Sequence, residues 1–330
     1  MSRKKWYVFA GTAFFCLLSA VLSLMLGAAR LSLTELCQAL SNGMNSVPGR
    51  IFWYVRLPRT MACLLSGAAL AAAGAVIQGV LSNQLASPSI IGVNAGAGLA
   101  VTICCAAGAI SGWIIAVSAF GGALLAVCLV VFAAQKTGAS RTTVILGGVA
   151  VNSFLTAIAE GITNLIPDAG LLSADFRVGG FSAVAYTRLI PAGILILMAL
   201  AVVLTLCNEL DVLMLGEETA RGLGMQVGRT RTVFLVLAAM LAGASVSFAG
   251  LLGFVGLLVP HAARRLVGGE SRFLLPLCMI GGAGFVTLCD LAARLVFVPY
   301  ELPVGILMSV LGGPFFIFLL FKRRKERTFS

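Results

Sequence analysis

The sequence predicts an all-α integral membrane protein with about ten transmembrane helices, and three observations carry that prediction. Only 11% of the 330 residues are charged, against about 25% in soluble domains, while 60% are hydrophobic and mean hydropathy is +1.05. Apolar runs of roughly 20 residues, the length that crosses a hydrocarbon core as a helix, alternate with short segments holding most of the Lys, Arg, Asp and Glu. Those basic residues are distributed asymmetrically. With the N-terminus inside and ten crossings, the inner segments (1–5, 82–90, 134–142, 208–231, 261–273 and 322–330) hold 16 of the 23 Lys and Arg, and the outer segments hold 7.

The expected spans lie near 6–29, 60–81, 91–107, 113–133, 143–165, 189–207, 232–249, 274–296 and 303–321. An apolar piece at 251–260 is too brief for an ordinary span. With Gly253, Gly256 and Pro260 in and around it, it reads as a short or broken helix packed among others. The first span has too long an apolar run for a signal peptide and is expected to stay as an anchor. The second combines Gly67, Gly74 and Gly79 with Ala68, Ala69, Ala71, Ala72, Ala73 and Ala75, so it should pack against protein rather than lipid. It starts Arg59-Thr60 on the outside, and the seventh starts Arg231-Thr232 on the inside, which makes the two halves a candidate inverted repeat. There is no linker, low-complexity tract or soluble domain, so residues 1–330 are read as a single transmembrane domain.

Composition and motif content exclude several function classes. The net charge of +11 suggests nucleic acid, but the positive-inside rule accounts for its placement and leaves no basic patch over. Nine cysteines, most within apolar spans and none in a CxxC pair, read as small buried hydrophobes. One histidine, His261, cannot supply a metal cluster, and no nucleophile–base set is recognisable, so no catalytic residue, metal site or cofactor is assigned. No Gly-Lys dipeptide occurs, so the phosphate-cradling GxxxxGK[ST] loop is missing. If ATP drives transport here, another chain must hydrolyse it.

Polar residues inside the spans are few. Gln78 and Asn152 sit in Gly/Ala-rich helices, where they either bond to neighbouring helices or line a passage. Asp290 and Arg294, four apart, can pair on one helix face, and Arg294 can also point outward toward an acidic partner. Glu160 lies near the outer end of its helix and receives no role. An ion-coupled secondary transporter would need such membrane-embedded carboxylates, and Glu160 and Asp290 are the candidates.

The longest charged interruption on the inner side is NELDVLMLGEETARGLGMQVGRTR, Asn208 to Arg231. Glu217 and Glu218 follow Gly216, where a helix N-terminus favours negative charge, and Gly222 and Gly224 can stop the helix within about two turns. A helix that short must pack on something, and Leu213, Leu215, Ala220 and Leu223 offer an apolar face. The segment is either a knob that plugs into a cytosolic partner or a solvated loop.

Five blocks in order resemble the permease subunits of ATP-binding-cassette (ABC) importers for iron chelates, haem and vitamin B12. They are RLPRTMACLLSGAALAAAGAVIQGVLSNQLASPSIIGVNAGAG at 56–98, LGGVAVNS at 146–153, LDVLMLGEETARGLGMQVGRTR at 210–231, AGLLGFVGLLVPHAARRLVGGESR at 249–272 and ELPVGILMSVLGGPFFIFLL at 301–320. The resemblance implies a type II importer permease fold of ten helices in a bacterial inner membrane, with both termini cytoplasmic. It implies pairing with a second permease, identical or a close paralogue. Two cytosolic ATPases that bind ATP and Mg would sit below, and a substrate-binding protein would dock from outside.

By this resemblance Leu215, Gly216, Glu217, Glu218, Ala220, Leu223 and Gly224 form the ATPase-coupling motif. Arg56, Arg59 and Arg294 match outer receptors for acidic residues of the binding protein. Asn83 and Leu85, with Thr142 and Thr143, fall at the inner gate. Two departures stand out. Asn-Pro-Leu-Ala reads Asn83-Gln84-Leu85-Ala86, and RVGGFSAVAYTR at 177–188 lacks the tryptophan often found before its glycines.

Overall fold

A chain this apolar must satisfy its backbone N–H and C=O groups internally wherever lipid surrounds it, and helices do so within one segment. The computed structural model describes residues 3–27, 34, 35, 39, 41, 43–136, 141–296, 298 and 300–328, with side chains up to 317. The helices are α1 (Arg3–Met25), α2 (Leu57–Val80), α3 (Val93–Ala106), α4 (Gly112–Lys136), α5 (Arg141–Leu165), α6 (Pro167–Val178) and α7 (Tyr186–Thr205). They continue as α8 (Cys207–Met214), α9 (Glu217–Gly222), α10 (Val227–Ala249), α11 (Val255–Val267), α12 (Ser271–Leu295) and α13 (Val304–Thr328). Residues 28 and 29, the expected end of the first span, and 137–140, within an expected inner segment, lie outside the described residues.

Among the described residues, seven helices are long and apolar enough to cross a membrane: α1, α2 with its lead-in from Val47, α4, α5, α7, α10 and α12. Two shorter apolar helices, α3 and the Val304–Ile317 part of α13, take the place of two more expected spans. The helix at the place of the expected broken one, α11, belongs to neither group among the described residues. The expected apolar helix at 251–260 begins later and runs longer, because Gly250 (φ +70°) ends α10 and Phe254 (φ +65°) starts α11, so residues 250–253 are non-helical.

Polar contacts sort the turns into two ends. At one, Lys5 pairs with Glu270 at 3.3 Å, Gln135 Nε2 donates to Thr232 Oγ1 (3.1 Å) and Arg141 Nη2 donates to Leu213 O (2.9 Å). At the other, the Ser23 and Thr60 hydroxyls meet at 2.9 Å, Tyr186 Oη donates to Trp53 O (2.7 Å) and Gly180 N donates to Ala249 O (2.8 Å). Every pair joins segments that charge counting puts on the same side.

The bundle is built around α2 and α10, each with 78% of its apolar window buried, against 11% for α1 and 22% for α5. The two start at opposite ends, pack against each other, and share a 2.6 Å contact between the Ser66 and Ser245 hydroxyls. That antiparallel arrangement is what an inverted repeat requires. The small residues of α2 allow close approach. A Cβ at Gly67 would stand 2.1 Å from Gly282 O of α12, and one at Gly282 would stand 2.3 Å from Gly67 O.

Neighbouring glycines of α12 test this. At Gly281 a Cβ would meet nothing nearer than 3.6 Å. Gly281→Ala is therefore expected to leave thermal stability in detergent equal or higher, by up to about 1 kcal/mol from helix propensity. Gly282→Ala must push two backbones apart and is expected to lower stability by about 2 kcal/mol. Equal melting temperatures for the two variants would refute the close crossing.

Candidate functional site

The charged segment 208–231 folds as two short helices rather than one. In α8, Asp211 accepts from the Ser271 backbone N–H (3.0 Å) and hydroxyl (2.6 Å), tying the segment to the start of α12. The Arg141–Leu213 bond ties it to the start of α5. Gly216 (φ +115°) turns the chain into α9. At the far end Gly224 (φ +83°) closes a Schellman motif, with its N–H bonded to Arg221 O and the Met225 N–H bonded to Ala220 O.

Leu213 and Ala220 are buried inward, whereas Leu215 and Leu223 are each 64% exposed. The two glutamates differ. Glu217 pairs with Arg231, whose side chain is almost wholly buried, and lies 3.7 Å from Arg221, while Glu218 is exposed. The segment thus stands braced on α5, α10 and α12, with Glu218 and two leucines presented outward. Asp211 and Arg231 carry this bracing, and the sequence assigns neither of them that role. Its one signal is Arg231-Thr232, which opens α10 as Arg59-Thr60 opens α2.

The expected inner-gate residues fall in two turns at the same end. Asn83 Oδ1 accepts from the Leu85 N–H (3.0 Å), an Asx turn directly after α2, so the turn closes on its own side chain with glutamine in place of proline. Thr142 and Thr143 occupy the first turn of α5, beside Arg141.

At the opposite end, Arg56, Arg59 and Arg294 are buried rather than held open to the outside. Asp290, 1% exposed, lies between two of them. Arg59 grips it through Nε (3.0 and 3.2 Å) and Nη2 (3.0 Å), and Arg294 Nε meets it at 3.0 Å. Arg59 Nη1 reaches on to Glu301 (2.7 Å), and Arg294 Nη2 donates to Ser23 Oγ (2.7 Å). Arg56 donates to Leu26 O. The cluster clamps α1, α2, α12 and the segment before α13. Arg294, open to either role in sequence, turns inward. An outer cavity of about 450 Å³ opens beside it, lined by Arg59, Glu301, Arg188, Asp175 and Ser182.

Inside the bundle, Gln78 Nε2 donates to Gly256 O (3.1 Å), an interhelical bond. Asn152 and Glu160 instead line a cavity of about 320 Å³ between α3, α5 and α6. Asp290 is neutralised by its arginines, so an ion-coupled mechanism would rest on Glu160 alone. Among the described residues no group of three or more His, Cys, Asp or Glu is placed to hold a metal ion.

Comparison with known proteins agrees with this architecture. The model of the FecCD transport family matches residues 15–322. The Fe(3+)-citrate import system permease protein YfmD of Bacillus subtilis is 35% identical over 303 residues, covering 92% of this chain and 91% of its own. The vitamin B12 import system permease protein BtuC of Escherichia coli is 36% identical over 310 residues, covering 92% and 94%. A metal-chelate type ABC transporter solved in an inward-facing conformation superposes with a TM-score of 0.85 at 28% identity, covering 96% of this chain and 99% of that one. With a family match across nearly its whole length and a fold of the same design, the chain belongs to the FecCD transport family, whose members are multi-pass transport permeases and not enzymes.

Proposed function

We propose that this chain is the membrane-spanning permease of an ATP-driven importer that brings an iron chelate, haem or cobalamin into the cell. The observation that carries the reading is the braced α8–α9 segment, because an element fixed to three membrane helices can convey force from a cytosolic motor. In this reading it lies in a bacterial inner membrane with both termini cytoplasmic, on the side with 16 of the 23 Lys and Arg. It pairs with a second permease, two ATPases that bind ATP and Mg dock through Leu215–Gly224, and the turns at Asn83–Leu85 and Thr142–Thr143 form the inner gate.

The substrate-binding protein docks outside, over Arg56, Arg59 and Arg294. Glu301 is the exchangeable group there: its side chain is 35% exposed, whereas Asp290 is enclosed. An incoming carboxylate that displaces Glu301 from Arg59 would signal occupancy inward along α2. Purification of the tagged chain from its native membrane should retain a Walker-A ATPase. The complex in proteoliposomes should take up labelled cargo only with ATP inside the cell-equivalent compartment. Uptake driven by a proton or sodium gradient without ATP would overturn the reading.

A further inference from the structure

We infer that α12 carries movement of the α8–α9 segment across the membrane to the arginine cluster at the outer end, and that Asp211 is the positioning residue that fastens α12 to that segment. The inference rests on the permease reading and adds the route between the two ends and the residue on which the route depends.

The first N–H groups of a helix need acceptors from outside it, and the N-cap residue ordinarily supplies one. Glu270 occupies that position in α12 but makes no cap bond and pairs with Lys5 instead. The acceptor comes from Asp211 of α8, 60 positions earlier, which takes the Ser271 N–H (3.0 and 3.3 Å) and hydroxyl (2.6 Å). Ser271 is buried, so little water competes for these bonds. A carboxylate here also suits the positive end of the helix dipole. Pro276 has no N–H to give to Arg272 O, so the first turn of α12 is held less by its own ladder and more by Asp211.

The last turns of the same helix hold the outer cluster, Asp290 through Arg59 and Arg294 through Ser23. Ser271 and Asp290 stand about 28 Å apart along the axis, close to the thickness of a hydrocarbon core. The other braces end elsewhere. Helices α10 and α5 are tied to the segment through Arg231 and Arg141, but Ala249 of α10 meets Gly180 outside, and the cluster includes no residue of α5. Helix α2 bears Arg59 but meets the segment where Gly79 packs beside the Leu210 side chain. Midway, α12 is pressed on its neighbours. A Cβ at Gly282 would stand 2.3 Å from Gly67 O of α2, and one at Gly284 would stand 3.0 Å from Cys16 Cα of α1. Backbones this close leave no side chains to absorb a displacement, so a shift of α12 moves α1 and α2 with it.

The test uses the importer purified with its ATPase in lipid nanodiscs, which leave both faces open. The reporter is Tyr300→Cys, an exposed position beside Leu302, whose N–H bonds to Ala293 O of α12 (3.2 Å). Its rate of reaction with a charged maleimide is read by peptide mass, without nucleotide and with ATP, Mg and vanadate. Nucleotide should change the rate about fivefold or more, the lower end of coupling between distant sites. Asp211→Ala should abolish this change while the ATPase stays bound, since Leu215–Gly224 is untouched. Asp211→Asn still offers Ser271 an acceptor and should keep part of the change.

A second variant separates the link from helix capping. Glu270→Ser gives α12 a cap of its own. Combined with Asp211→Ala it should bring the melting temperature back toward wild type and leave the response to nucleotide lost, and alone it should leave the response intact. Recovery of the response in the double variant would reduce Asp211 to a cap and overturn the inference. So would a wild-type response in Asp211→Ala. An ATPase that binds and hydrolyses ATP with no change at position 300 in the parent would overturn the route and leave the permease reading standing. Failure of any ATPase to purify with the chain would count against the permease reading itself.

Discussion

Asp290→Ala is expected to destabilise the protein by about 3–5 kcal/mol, the scale for removing one partner of a buried ion pair. Two guanidiniums, Arg59 and Arg294, would then face each other almost wholly buried, with Glu301 left to balance them and Arg56 nearby. The clamp joining α1, α2 and α12 would be lost. The measurement is thermal unfolding of the purified chain in detergent, together with its abundance in the membrane. Glu301→Gln sets the contrast. It removes a half-exposed partner from an Arg59 still held by Asp290, so its cost should stay below about 1 kcal/mol. If Asp290→Ala melts no lower than Glu301→Gln, the cluster does not hold the outer end together.

Glu218→Lys is expected to weaken binding of the ATPase about thirtyfold, the effect of losing one interface residue worth about 2 kcal/mol, and to abolish ATP-driven uptake. The fold should be untouched, since an exposed substitution usually changes stability by no more than about 0.5 kcal/mol. Glu217→Lys should behave differently. It turns attraction to the buried Arg231 into repulsion, so the segment should loosen from α10 and the chain's abundance should fall along with transport. Retention of the ATPase on the purified chain and uptake per molecule of permease separate the two. Wild-type retention by Glu218→Lys would remove this residue from the docking surface.

Much of this architecture is legible in the amino-acid sequence, and for a specific reason. Lipid imposes a one-dimensional constraint: a residue is either at hydrocarbon depth or outside it, and runs of apolar residues and clusters of Lys and Arg report that depth locally. Hence the spans, the protein-packed faces of α2 and the shared end of Lys5, Glu270 and the 208–231 segment follow from composition and order. The stop of α9 at Gly222–Gly224 follows too, because a left-handed closing residue is local backbone chemistry.

Tertiary structure alone decided which distant groups meet. Arg59 and Asp290 are 231 positions apart, and nothing periodic in either helix announces that they bond. Arg56 and Arg294, equally suited in sequence to facing a partner, turn inward because a chain nearly free of buried acids offers them Asp290 and the open carbonyls at the end of α1. The helix expected at 251–260 starts instead at Val255 because the junction from Phe176 to Gly180 bonds to Ala249 and Leu251 and holds residues 250–253 out of helix. Glu160, isolated in one dimension, shares a cavity lining with Asn94 and Arg177 only because α3 and α6 pack beside α5. Depth is written in each segment by itself, whereas juxtaposition is a property of pairs, and only the folded packing of the helices supplies it.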